Sequence, residues 1–266
     1  MRGLGTVLGL LGWHAALVVG TPRHLPLPER VLAYPGVLAS VFAPEILGPV
    51  AEAALQSAAY LLGGVALAWG LAGVLRRAPL GLLWVLDTVP PFLLLLLGVA
   101  LGLAVTLRQG WTFPLTPWSP LMLALMVGSL ALPMAARAAG QGRAAYHEAL
   151  AADHSRAARA MGLPEAQVQR RAAALARPVQ AASLGADALG LALSLALLEG
   201  LLHFPGVGDT VYLAVQGQFS ETGQLEGERL TLFAGALLAL LVLAALAHLG
   251  LRWAAARLDP RPLAEA

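Results

Sequence analysis

The stretch Asp153-His154-Ser155-Arg156-Ala157-Ala158-Arg159-Ala160-Met161-Gly162-Leu163-Pro164 is a short polar segment set between long apolar runs, and its place among them decides the fold. Alanine, leucine and arginine favour helix. Asp153 is placed to cap a turn beginning at His154, Gly162 is a natural C-terminal stop, and Pro164 can open a new helix. The expectation is two short helices hinged at Gly162. On the first, Ala157, Ala158 and Met161 make a small apolar face while Arg156 and Arg159 stay polar. A helix this short cannot cross a bilayer. It either lies on the membrane, holding anionic headgroups through arginine, or docks into another protein.

Outward from this segment the chain turns apolar. Six stretches supply the roughly 20 apolar residues that a crossing needs, at residues 4–20, 53–75, 82–107, 118–136, 184–202 and 230–251. Of the 266 residues 58% are hydrophobic and 12% charged, with a mean hydropathy of +0.73, which leaves too little polar surface to cover a soluble globule. The fold class is therefore all-α and polytopic: a single membrane domain over residues 1–266, with six transmembrane helices and a polar loop at 137–179 between spans four and five. The first stretch also has features of a secretory signal, with Arg2 before it and a Pro-rich segment from Thr21 to Pro28 after it, but a retained helix keeps the number of spans even.

Arginine sets the orientation. All 17 basic residues are arginine. With a cytoplasmic N-terminus, Arg2, Arg76, Arg77, the seven arginines from Arg137 to Arg177, Arg252, Arg257 and Arg261 fall inside, 13 of the 17, leaving Arg23, Arg30, Arg108 and Arg229 outside. Both termini and the 137–179 loop are thus expected in the cytoplasm. Trp84 and Trp253 near the inner ends, with Trp111 and Trp118 near the outer ends, suit aromatic belts at the two interfaces.

Missing residue types exclude whole chemistries. Without cysteine there is no disulfide, thiolate nucleophile or cysteine-ligated metal. Without lysine there is no Walker A motif and no Schiff base, so any ATP is hydrolysed on another chain. His147-Glu148 opens like a zincin helix, but Ala151 stands where the second histidine belongs. Ser183-Leu184-Gly185 lacks the earlier glycine of an intramembrane serine hydrolase, having Ala181 instead. No metal, bound cofactor or nucleic-acid partner is expected.

The segment from Asp153 to Leu163 resembles the D-Y-V-R-T-A-R-A-K-G-L loop of the inner-membrane permease subunits of ABC importers, of the dipeptide, oligopeptide and nickel type. It matches at Asp153, Arg156, Arg159, the flanking alanines and Gly162-Leu163. Three more landmarks follow the family's order: Thr88-Val89-Pro90-Pro91-Phe92 is similar to S-I-P-S-F, Glu199 through Gly208 to E-T-V-F-S-W-P-G-L-G, and Leu258-Asp259-Pro260-Arg261 to L-D-P-R. The resemblance covers about Leu47 to Pro262. Departures are His154 and Met161 for the tyrosine and lysine, a shortened stretch between Val168 and Pro178, and a short outer segment from Thr21 to Gly48.

The resemblance implies a six-span bacterial inner-membrane subunit that performs no covalent chemistry. It would pair with a second homologous permease, two ATPase subunits that bind ATP, and an external solute-binding protein, to import a small solute such as a peptide or nickel complex. Asp153, Arg156, Ala157, Ala158, Arg159 and Gly162 would form the coupling helix against the ATPase. Charges inside spans are functional candidates. Asp187 is expected to face the path or a hydrated inner interface, and Asp87 the inner interface. Glu199, with Pro205, Gly206 and Gly208 beside His203, belongs to an outer gate or a wetted interface. The alternative from a different class is a polytopic membrane enzyme or lipid-binding scaffold that needs no ATPase.

Overall fold

A computed structural model of the chain describes residues 2–21, 25–110, 116, 119–216 and 227–259, with side chains from Leu8 onward. Arg23, Trp111, Trp118, Pro260 and Arg261, and the side chain of Arg2, lie outside the described residues. Among the described residues every regular element is a helix: α1 (Arg2–Gly20), α2 (Leu27–Ser40), α3 (Pro44–Leu75), α4 (Leu80–Thr88), α5 (Pro91–Gln109), α6 (Pro120–Ala151), α7 (Asp153–Ala160), α8 (Glu165–Ala186), α9 (Ala188–Leu202), α10 (Val207–Gln216) and α11 (Gly227–Leu258).

The breaks have local causes. The apolar run expected as one span at 82–107 is cut between α4 and α5, because Pro90 and Pro91 offer no amide donors and Val89 is forced into extended backbone at ψ 121°. Hydropathy averages over this interruption. Conversely, the apolar run 118–136 ends at Arg137, yet α6 continues four turns further, since its alanine-rich sequence stays helical past the first charge. Ser119 caps α6, its Oγ accepting from Met122 N at 3.2 Å. The segment 137–179 is thus the end of α6, all of α7 and the first part of α8 rather than a loop. The span expected at 184–202 is interrupted at Asp187, between α8 and α9.

Helices α3, α5, α6 and α11 are long and apolar enough to cross a membrane, and α8 with α9 passes the same test as one interrupted span. In α1 only Leu8–Gly20 is described as apolar helix, which is shorter than a crossing. By length and composition the described residues supply four crossings, or five with the interrupted pair, against the six expected.

The chain forms two compact units, Met1–Leu61 with Ala192–Ala244, and Leu62–Leu191 with Ala245–Ala266. In the first unit Val18, Val41, Leu230 and Ala234 form one apolar cluster, and Ala53, Ala192, Val207, Ala236 and Leu240 another. Small side chains let backbones approach: a Cβ on Gly235 would sit 3.1 Å from Val50 Cγ2. His14 on α1 is sealed inside, with Nε2 2.9 Å from Ala234 O and Nδ1 2.8 Å from Tyr34 Oη. A carbonyl only accepts, so Nε2 carries the proton and donates, and in the neutral ring the Tyr34 hydroxyl donates to Nδ1. In the second unit α6 packs against α4, α5, α7 and α8, burying Met126, Leu130, Ala135 and Ala139. There His248 Nδ1 lies 2.8 Å from Gly185 O.

Candidate functional site

The second unit holds α7 in a defined pose. Its first residue is Asp153, with Ala152 as the N-cap, so Asp153 does not cap the helix as expected. Its carboxylate lies in the positive first turn and pairs with Arg156 at 3.3 Å. At the other end Gly162 takes φ +79°, and the Leu163 amide donates to Ala158 O at 3.1 Å while the Gly162 amide donates to Arg159 O at 2.9 Å. This pair of bonds is a Schellman closure, which needs the left-handed backbone that glycine tolerates.

Side chains then fix which face points out. Ser155 Oγ donates to Ala149 O at 2.6 Å, and Ser155 and Ala158 are buried against the protein itself. Asp153, His154, Arg156, Ala157 and Met161 point outward, Met161 with 73% of its surface exposed. The single apolar face of Ala157, Ala158 and Met161 is therefore divided, because Ala158 is only 4% exposed. Arg159 straddles the turn: Nε and Nη2 donate to the two carboxylate oxygens of Glu165 at 2.9 and 3.1 Å, and Nη1 donates to Leu150 O at 3.2 Å. The hydrogen bonds from Arg159 hold the Glu165 carboxyl below the usual carboxylate range and raise the Arg159 guanidinium in turn. Glu165 escaped the sequence reading, since only the Gly162–Pro164 turn brings it back to Arg159.

A second cluster in this unit joins Arg137 on α6 to Asp87 and Asp187. Arg137 Nε donates to Asp87 Oδ1 at 2.8 Å, and Nη1 donates to Asp187 Oδ2. Asp87 lies in the last turn of α4, and Asp187 stands at the break between α8 and α9, as the C-cap of the first and directly before the second. One guanidinium offsets two charges. Sequence reasoning found both aspartates but not Arg137, although a lone arginine next to an apolar run is the partner an intramembrane aspartate requires.

The first unit contains the Glu199 cluster. Glu199 and Ser57 are fully buried. Ser57 Oγ donates to Glu199 Oε1 at 2.7 Å and accepts from Val207 N at 2.9 Å, while Gly208 N donates to Glu199 Oε2 at 2.8 Å. A carboxylate and a hydroxyl thus satisfy the opening amides of α10 at its positive end. The chain reverses between α9 and α10 through His203, in left-handed backbone at φ 52°, with the Phe204 amide donating to Glu199 O at 3.0 Å. A Cβ on Gly206 would meet the Glu199 carboxyl and one on Gly208 would overlap Ala196 O, so both glycines are needed for the approach. Pro205 completes this turn, partly exposed. The His203 ring points away from Glu199, 3.0 Å from Asp209 and edge-on to Tyr212. Glu199 is therefore not at a wetted interface.

Among the described residues no three His, Asp or Glu side chains converge as a metal site. The helical content and the repeated apolar helices define a polytopic membrane protein. Residues 59–262 match the family described as binding-protein-dependent transport system inner membrane component, and the chain belongs to that family. It is a permease component of an ABC-type transport system, integral to the inner membrane and working with other subunits. No curated protein matches the chain.

Proposed function

We propose that this permease is half of the translocation path of an ATP-driven importer for a small solute such as a peptide or nickel complex. It pairs with a second homologous permease, is fed by an external solute-binding protein, and is driven by two ATPase subunits that carry the ATP. The chain crosses the membrane six times as one permease domain, with α1 as the first crossing and both termini cytoplasmic, a topology supported by the 13 arginines on that side.

The observation that carries this reading is the pose of α7. A two-turn helix whose one side is bonded to its own protein and whose other side presents Asp153, Arg156, Ala157 and Met161 is built to transmit a push. Ala158, Arg159 and Gly162 hold its shape. Closure of the ATPase pair moves α7, and the bundles change their access from one side to the other. The Arg137–Asp87–Asp187 cluster serves as a charged brace next to the path, and the Glu199 turn with Pro205, Gly206 and Gly208 serves as the rigid base of the outer gate.

An Ala157→Cys variant of this cysteine-free chain tests the reading. Oxidation should cross-link it to a cysteine placed in the ATPase cleft, and the link should abolish uptake. Full uptake by a completely cross-linked complex would refute the coupling role.

A further inference from the structure

A cleft of about 450 Å³ in the second unit is lined by Arg76, Arg77, Arg143, Tyr146, His147 and Gln169, and none of the roles above uses it. It gathers the end of α3, the last turns of α6 and the second turn of α8. Its lining holds three guanidinium groups and no carboxylate. Three other arginines of this unit are matched: Arg137 with two aspartates, Arg156 with Asp153 and Arg159 with Glu165. Among the described residues Arg76, Arg77 and Arg143 have no acidic partner, and the nearest carboxylate along α8, Glu165, is taken by Arg159.

Two of these arginines, Arg76 and Arg143, are also held in place. The Arg76 guanidinium stacks over the Tyr146 ring, 5.6 Å from its centroid, and Arg143 Nη1 donates to Ala78 O at 3.1 Å, leaving its remaining donors for another acceptor. Like charges gathered without a counterion repel, so an anion is the complement the cleft lacks. The surroundings narrow the class of anion. On the two helices that flank the Arg76–Pro79 turn, Val74, Leu80 and Trp84 are exposed apolar side chains. A phosphate joined to acyl chains satisfies both surfaces, whereas a free phosphate satisfies one. Basic pockets between membrane helices hold lipid headgroups by this arrangement.

We propose that this cleft binds the phosphate of an anionic phospholipid, with its acyl chains along Val74, Leu80 and Trp84. Arg77 and Arg143 supply charge and donors, and Tyr146 fixes Arg76.

The test uses the full chain purified in mild detergent with its co-purifying subunits, titrated with phosphatidylglycerol or phosphatidylcholine and read by native mass spectrometry. Phosphatidylglycerol should bind preferentially. Arg77→Gln, an exposed residue with no described contact to lose, should weaken it roughly fivefold, and Arg77→Gln with Arg143→Gln should weaken it further. Arg257→Gln, which removes the same charge from a site stacked on Trp253, should leave binding unchanged. Equal binding of the two lipids, or equal loss in the Arg257 control, would overturn the site. Displacement of phosphatidylglycerol by inorganic phosphate at equal concentration would assign the cleft to free phosphate and overturn the lipid.

Discussion

Ser57 and Glu199, 142 residues apart in the chain, meet at 2.7 Å with both side chains sealed from solvent. The serine hydroxyl sits between the carboxylate and the Val207 amide, so it joins α3, α9 and the start of α10 through one atom. Ser57→Ala would leave a buried amide and half a carboxylate without partners. The expected loss is about 1–3 kcal/mol, measured by unfolding in detergent. A variant as stable as the parent would show that the bond carries no weight.

The two glycines of the same turn should respond differently. At Gly208 a Cβ meets the backbone oxygen of Ala196, which cannot turn aside, whereas at Gly206 it meets the end of the Glu199 side chain. Gly208→Ala should therefore reduce folded yield strongly, and Gly206→Ala should cost less, roughly 1–3 kcal/mol through disturbed packing. Equal stability of the two variants would contradict the geometry.

Arg137 should be more sensitive than either of its partners. Arg137→Leu leaves two aspartates uncompensated at helix ends, while Asp187→Asn leaves Arg137 still paired with Asp87. The side chains are 32–40% exposed, so water screens the pair, and a double-mutant cycle between Arg137 and Asp187 should give a coupling of only about 1 kcal/mol. Restoration of stability when Arg137→Leu is combined with Asp87→Asn and Asp187→Asn is the accompanying check.

Alanines 157 and 158 are neighbours with opposite roles. In the cysteine-free chain Ala157→Cys should react rapidly with a thiol reagent, and Ala158→Cys at least tenfold more slowly, because Ala158 is buried. Ala158→Trp should overpack the protein by roughly 1–3 kcal/mol. Ala157→Trp should leave the fold intact and weaken retention of the ATPase. The reverse pattern of labelling would show that α7 is rotated from the pose described.

The Arg159–Glu165 clamp gives α7 an acid-sensitive end. The folded Glu165 carboxyl titrates below its ordinary range because Arg159 donates to its charged form. The clamp is thus complete above the unfolded value of about 4.3 and is lost as pH falls through the lower folded value. Hydrogen exchange of the amides following Arg159 should quicken over that acid window, and Glu165→Gln should show the faster rate at neutral pH. Exchange that is independent of pH over the window, after correction for the intrinsic rate, would exclude the clamp.

Composition and local sequence determined the membrane class, the helical content and the stop at Gly162, because each follows from residues within a few positions of one another. Glycine in left-handed backbone and an uncharged run of apolar residues mean much the same in any surroundings. The break at Pro90-Pro91 was equally local, and only hydropathy averaging concealed it. The partners of Arg137 and Glu199, and the inward turn of Ala158, were decided by tertiary structure alone. A charge or a small side chain in a sequence states a need for a partner or a close neighbour, but which residue meets that need depends on how helices far apart in the chain pack together.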